Sequence, residues 1–173
     1  MDELRELTLE PDAQVFVPEV SRICADLGVV VIFIPDVSGS RCSGAARWVG
    51  GRPVIQLSMR NTSDDHLWFT LFHELGHVVL HSRRSVFIDD GISETNQILA
   101  IEKEADAFAR QALIPADHES ELANLRGLGD IEAFAQRVGV SPGVVVGRLQ
   151  HDHVIGNQIG NRLKRRYRLP AAS

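Results

Sequence analysis

His73-Glu74-Leu75-Gly76-His77 sets two imidazoles four residues apart, with a carboxylate next to the first. On a helix, residues so spaced lie on one face about one turn apart. His73 and His77 can then share one metal ion, and Glu74 stands beside it to handle protons. This is the H-E-x-x-H pattern through which zinc peptidases work. Two ligands are too few, because catalytic zinc takes three from the protein and leaves one position for water.

The third must come from a neighbouring element, and the helix expected over Glu94 to Leu113 offers Glu102 and Glu104. At about 100° per residue, Ile98, Ile101, Ala105, Phe108, Ala109, Ala112 and Leu113 cluster around the direction of Glu102. Glu104 points to the opposite side and can face water. A carboxylate on an apolar face is costly unless a cation compensates it. Glu102 is therefore the expected ligand. Asp106, one turn further on, suits the hydrogen-bond acceptor that fixes the tautomer of a ligating histidine. Glu102 and Asp106 together are similar to the E-x-x-x-D element of gluzincins.

These parts define a hydrolysis. Zinc on His73, His77 and Glu102 lowers the pKa of its water to about 7 and polarises a scissile carbonyl. Glu74 takes the water's proton and delivers it to the leaving amine. The oxyanion helper stays open among His81, His118, His151, His153 and Tyr167. His81 lies too far along the helix for the same ion and reads as structural or capping. His66 reads as a partly exposed helix residue, and Trp48, Trp68, Phe69 and Phe72 as core.

The elements that hold these residues follow from pattern and punctuation. Pro18 to Asp26 reads as a helix ended by Gly28, and Val29 to Ile34 as a buried strand stopped by Pro35. Ala45–Val49 and Val54–Ser58 form a hairpin through Gly50-Gly51. Caps at Asn61-Thr62-Ser63, followed by Asp64 and Asp65, start the helix that runs to about His81. Pro115 terminates the Glu94–Leu113 helix. Further helices are expected near Asp130–Val138, Pro142–Gln150 and Gln158–Tyr167. Strands before helices indicate an α+β fold. The division expected is a metallopeptidase core over 1–118 and a C-terminal helical subdomain over 119–173, packed on it.

With 173 residues, the chain is long enough to bury a real core. Its net charge of −5 argues against coating nucleic acid through bulk electrostatics. No apolar run reaches the roughly 20 residues of a membrane span, and the acidic start Met1-Asp2-Glu3 is unlike a signal peptide. Cys24 and Cys42 make neither a disulfide framework nor a CxxC pair. A cytoplasmic protein is expected.

Assembled, the sequence resembles the ImmA/IrrE family of metallopeptidases. The resemblance rests on Trp68-Phe69-Thr70-Leu71-Phe72 ahead of HELGH, on Val78-Val79-Leu80-His81 after it, and on Glu102-Lys103-Glu104-Ala105-Asp106-Ala107-Phe108-Ala109. It continues through Leu113-Ile114-Pro115, the Ser43-to-Trp48 hairpin and Ser141 to Asp152. It implies a gluzincin-like zincin fold with a small twisted antiparallel sheet, an active-site helix and a third-ligand helix. It implies zinc on His73, His77 and Glu102, with Glu74 as general base. It also implies cleavage of a helix-turn-helix repressor in DNA-damage, stress or phage and mobile-element responses. Some relatives carry a DNA-binding domain ahead of the peptidase. With no room for one before residue 28, a stand-alone form or the peptidase part of a longer protein is expected.

Several segments carry further expectations. Peptidases of this type bind substrate as an added strand, and Val54–Ser58 is the candidate edge, an interior strand being the alternative. Cys42, in a Gly/Ser-rich loop, could take the fourth zinc position and hold the enzyme off, or be a half-buried loop thiol. Cys24 reads as helix core. Ala133 to Ser141 resembles the first helix and turn of a helix-turn-helix. The following helix offers Val144, Val145, Val146 and Leu149, with only Arg148 and Gln150 able to address bases, so buttressing or substrate docking is expected of it. Arg162, Lys164, Arg165, Arg166 and Arg168 form a basic tail that suits weak contact with single-stranded nucleic acid as an activating signal, or a solvated helix end. The reading from a different class is a non-catalytic regulatory module that binds DNA or a partner and keeps its metal for structure.

Overall fold

Phe16 and Val20 are fully buried, and their burial explains why the first long helix starts earlier than Pro18. The computed structural model describes residues 1–34, 43–59, 63–81 and 93–167, with side chains from residue 96 in the last stretch. A short helix α1 (Asp2–Glu6) precedes α2 (Ala13–Asp26). Asp12 caps α2 by accepting from the Gln14 N–H at 2.8 Å. Pro18 therefore sits inside the helix rather than at its start. Burial of Phe16 offsets part of what the missing N–H costs.

The strands are β1 (Val30–Ile34), β2 (Gly44–Val49) and β3 (Arg52–Ser58), in the order β1-β3-β2. β2 and β3 form the expected antiparallel hairpin, but β1 pairs with β3 in parallel. The sheet is mixed, which corrects the antiparallel expectation. β3 is also the central strand, with Val54, Ile55 and Leu57 buried, so the candidate substrate edge at Val54–Ser58 is an interior strand. Among the described residues the outer strands are β1, where Val30 and Ile32 remain exposed, and β2.

Against this sheet packs α3 (Asp64–Leu80), whose Leu67, Trp68, Leu71, Phe72 and Leu75 are buried. α4 (Ser93–Leu113) crosses α3 closely. Gly76 is the reason it can: a Cβ there would lie 3.1 Å from the Ala105 Cα. After a 3-10 turn at Ala116–His118 come α5 (Glu119–Leu122), α6 (Leu128–Val138) and α7 (Pro142–His151). Gly139, at φ 77°, ends α6 in the left-handed conformation, and the Ser141 side chain caps α7. Val144, Val145, Val146 and Leu149 are buried, with α7 packed on α3. One hydrophobic cluster runs from Leu4 to Tyr167 and takes in both α3 and α7. Cys24 lies within it, and burial pushes its thiol up to about 11.

A buried polar hub ties this core to the two outer segments. Asp64 is fully buried and accepts from the Ser141 hydroxyl at 2.9 Å and from the Arg165 N–H at 3.2 Å. The Ser141 N–H donates to the Thr8 hydroxyl at 3.0 Å. Burial pushes the Asp64 carboxyl up, and the Ser141 hydrogen bond pulls it back.

The expected helix over 158–167 is absent: a 3-10 turn at Asn161–Leu163 is followed by extended chain. Gly160, at φ 83°, breaks the pattern. Arg166 bridges to Ser63, and Tyr167 packs against Phe16 with ring centroids 4.8 Å apart, its hydroxyl accepting from the Trp68 indole N–H at 3.4 Å.

Candidate metal centre

The HELGH helix and α4 present their functional side chains to one another because both are apolar along the same seam. Ala105, Ala109 and Leu75 are buried there, and Gly76 lets the backbones approach. At the mouth of that seam, one atom each from His73, His77 and Glu102 lies within 4.8 Å of the other two. The two Nε2 atoms are 3.0 Å apart. The Glu102 oxygens stand 3.3 Å from His73 Nε2 and 3.5 Å from His77 Nε2. Two ligand atoms about 2.1 Å from a tetrahedral zinc would be roughly 3.3–3.4 Å apart. The observed spacing fits such a centre.

The outer ring nitrogens strengthen that fit. His73 Nδ1 is 2.9 Å from Asp106 Oδ1, a pure acceptor when ionised, so His73 carries its proton on Nδ1. Its Nε2 then faces the centre as a lone pair. His77 Nδ1 is 3.2 Å from His81 Nδ1. Burial and the neighbouring His73 hold the His77 imidazole below its ordinary range, which favours the neutral, ligating form. Converging lone pairs and a carboxylate could hold a metal ion between them.

Glu74 is buried at the side of this cluster. Burial pushes its carboxyl up, while His73 and a hydrogen bond from the Ala46 backbone N–H pull it down. β2 thus reaches the Glu74 carboxylate directly. Gly44 on the same strand leaves no room for a side chain, since a Cβ would collide with the Thr70 methyl and lie 3.1 Å from Glu74 Oε1. The whole arrangement lines an open cleft of about 620 Å³ between β2, α3 and α4.

Each residue singled out from the sequence can be located against this cleft. Glu102 faces it with a half-exposed side chain, and Asp106 backs His73. Glu104 does more than face water: its Oε2 is 3.0 Å from His81 Nε2. Of the oxyanion candidates only His81 lines the cleft. Tyr167 is in the core, His118 meets Glu121 at 3.3 Å, and His153 is exposed. His151 and the exposed His66 line a separate hollow of about 320 Å³ between α3, α4 and α7, which Phe69 also borders. Trp68 and Phe72 are core as expected, whereas Trp48 lines the metal cleft. The Ala46 N–H and His81 contacts were missed, because both are set by chain segments distant in sequence.

Cys42 and Arg168 lie outside the described residues. The rest of the basic tail is largely engaged with the protein itself. Lys164 Nζ lies 2.7 Å from Asp65 and 2.8 Å from Gln150 Oε1, and Arg165 donates to the Leu9 carbonyl at 2.8 Å. Arg162 and Arg166 are exposed. On α7, Arg148 pairs with Asp152 and Glu119, and Gln150 donates to the Asn157 and Ile159 carbonyls. Arg148 and Gln150, the two side chains of α7 expected to be able to address bases, are thus both held by bonds within the protein.

The sequence matches the Peptidase M78 family, the IrrE N-terminal-like domain, over residues 24–150. The chain belongs to that family. The matched span includes the β-sheet, both helices of the metal cluster and α7. It is a family of metallopeptidases, and the His73, His77 and Glu102 cluster is where this member could hold its metal. No curated protein matches the sequence. Among the described residues no helix is long and apolar enough to cross a membrane.

Proposed function

We propose that this metallopeptidase is a zinc-dependent endopeptidase of the gluzincin type that cleaves a helix-turn-helix repressor and so relieves repression in a stress, DNA-damage or mobile-element response. The observation that carries the reading is the convergence of His73, His77 and Glu102 beside a buried Glu74. A divalent ion held there would supply Lewis acidity and an acidified water.

The remaining work falls to the chain. Glu74, held by the Ala46 N–H, accepts the water's proton and passes it to the leaving amine. Its raised affinity for protons suits that exchange, because a carboxylate whose pKa lies far below the working pH would take the water's proton poorly. Asp106 orients His73. β2 is an outer strand and its Gly44, Ala45, Ala46 and Trp48 line the cleft. Substrate backbone added alongside β2 would bring a peptide bond past Glu74, and Trp48 would meet its side chains.

The test is co-expression with the helix-turn-helix protein encoded beside this gene, followed by mapping of any cut. Cleavage that disappears in Glu74→Gln supports the reading; cleavage that persists in that variant ends it. Binding of the repressor without cleavage by either protein would favour a regulatory module with a structural metal.

A further inference from the structure

His81 is the third histidine of α3's last turns, and its ring is mostly buried although it closes a helix end. One nitrogen, Nδ1, faces His77 Nδ1 at 3.2 Å; the other, Nε2, faces Glu104 Oε2 at 3.0 Å. Glu104 accepts and does not donate when ionised, so the His81 proton sits on Nε2. That leaves His81 Nδ1 as an acceptor. His77 must then carry its own proton on Nδ1, and its Nε2 is a lone pair pointing at His73 and Glu102. Each tautomer follows from the one before it.

We propose that Glu104 and His81 are positioning residues that fix the tautomer and ring orientation of His77 and carry negative charge to the back of that ligand. The inference rests on the reading of His73, His77 and Glu102 as metal ligands. Asp106 serves His73 by direct contact; Glu104 serves His77 through one intervening imidazole. The longer route has a geometric cause. Glu104 comes from α4, two residues beyond Glu102 and on the far side of the helix, and it meets α3 only at its last turns. An imidazole spans that gap. Partners of this kind raise the basicity of a ligating histidine and are worth about 10–100-fold in metal affinity.

Zinc affinity of the full chain, measured by competition with a chromophoric chelator, tests this without relying on cleavage. His81→Ala should bind zinc about 10–100-fold more weakly than wild type. Glu104→Ala, on an exposed side chain, should weaken binding in the same direction while leaving the metal-free unfolding midpoint in place. His81→Gln, which keeps an acceptor for the His77 N–H, should retain more affinity than His81→Ala. In the double variant the two losses should not add, because Glu104 acts only through His81. Additive losses, or unchanged affinity in both single variants, would overturn the relay. Should His81→Ala fail to fold, Glu104→Ala alone decides by the same criterion. His73→Ala is the reference: if wild type binds no more tightly than that variant, the metal centre itself falls and the relay with it.

Discussion

The Ala46 backbone meets the Glu74 carboxylate across the seam between the outer strand β2 and the HELGH helix, and that contact pulls the carboxyl's pKa down against the push of burial. Under the proposed function, this contact links the general base to the strand beside which a substrate would lie. It also keeps a buried carboxylate from being left without a partner, an omission that costs about 1–3 kcal/mol or more for a charged group.

Ionising Glu74 costs stability in the metal-free protein. Burial raises its folded-state pKa above the unfolded value, so its stabilising contribution is present below the ordinary glutamate range and is lost as pH rises through the folded pKa. Glu74→Gln, which stays neutral, should therefore be more stable than wild type at neutral pH. The difference should shrink as pH falls toward the ordinary glutamate range. Urea unfolding of both metal-free proteins across that range measures it, and an advantage that grows at low pH would contradict the assignment.

Metal should stabilise the fold through a site the unfolded chain lacks. At zinc 100-fold above its dissociation constant the gain is about 2.7 kcal/mol. Calorimetry with and without zinc should show a higher unfolding temperature for wild type and none for His73→Ala. A rise of the same size in that variant would mean the ion binds elsewhere.

Asp106 acts only through His73. Asp106→Ala should lower zinc affinity by about 10–100-fold, with circular dichroism unchanged. Equal affinity in the two proteins would show that the Nδ1 contact does not orient the ligand.

Gly76 sets the distance between the two ligand helices. Gly76→Val should destabilise the protein by about 1–3 kcal/mol through overpacking. It should also weaken zinc binding, because Glu102 moves with α4. Chemical denaturation and chelator competition read the two effects separately; a stable variant with native affinity would refute the close-packing argument.

Asp64 holds three segments at once, through Ser141, Arg165 and the start of its own helix. Asp64→Ala leaves buried donors without an acceptor and should cost about 2–4 kcal/mol. Thermal unfolding checks it, and a loss below about 0.5 kcal/mol, the range of ordinary surface changes, would show that the hub is not structural.

The metal cluster was legible in the sequence because it is encoded by local periodicity. His73 and His77 sit one turn apart, and Glu102 shares a face with Ala105, Ala109 and Leu113 wherever α4 is placed. Strand order is a different kind of information. Val30 to Ile34 is uniformly apolar yet forms an outer strand, while Arg52 to Ser58, with more polar residues, is central. Pairing between distant segments decides that, and a run's own composition does not. Pro18 marked a helix start by the usual rule, but Asp12 and the buried Phe16 moved it back. A helical wheel of α4 alone places Glu104 in water, where most of its side chain lies, but it contains no information about where α3 ends and so does not show the His81 contact. Tyr167 belonged to the core for the same reason: its partners Phe16 and Trp68 lie far back in the chain.

Lys164, Arg165 and Tyr167 fasten the chain's late residues onto Asp65, Asp64 and Trp68, at the beginning of the helix that bears both histidines. That helix therefore lacks its final supports until residue 167 has left the ribosome. Domains in which long-range contacts complete the core settle late. A nascent chain would thus carry HELGH, Glu102 and Glu74 for some time before they are firmly held together. The order of synthesis itself would then leave the cluster without those supports until residue 167 is in place.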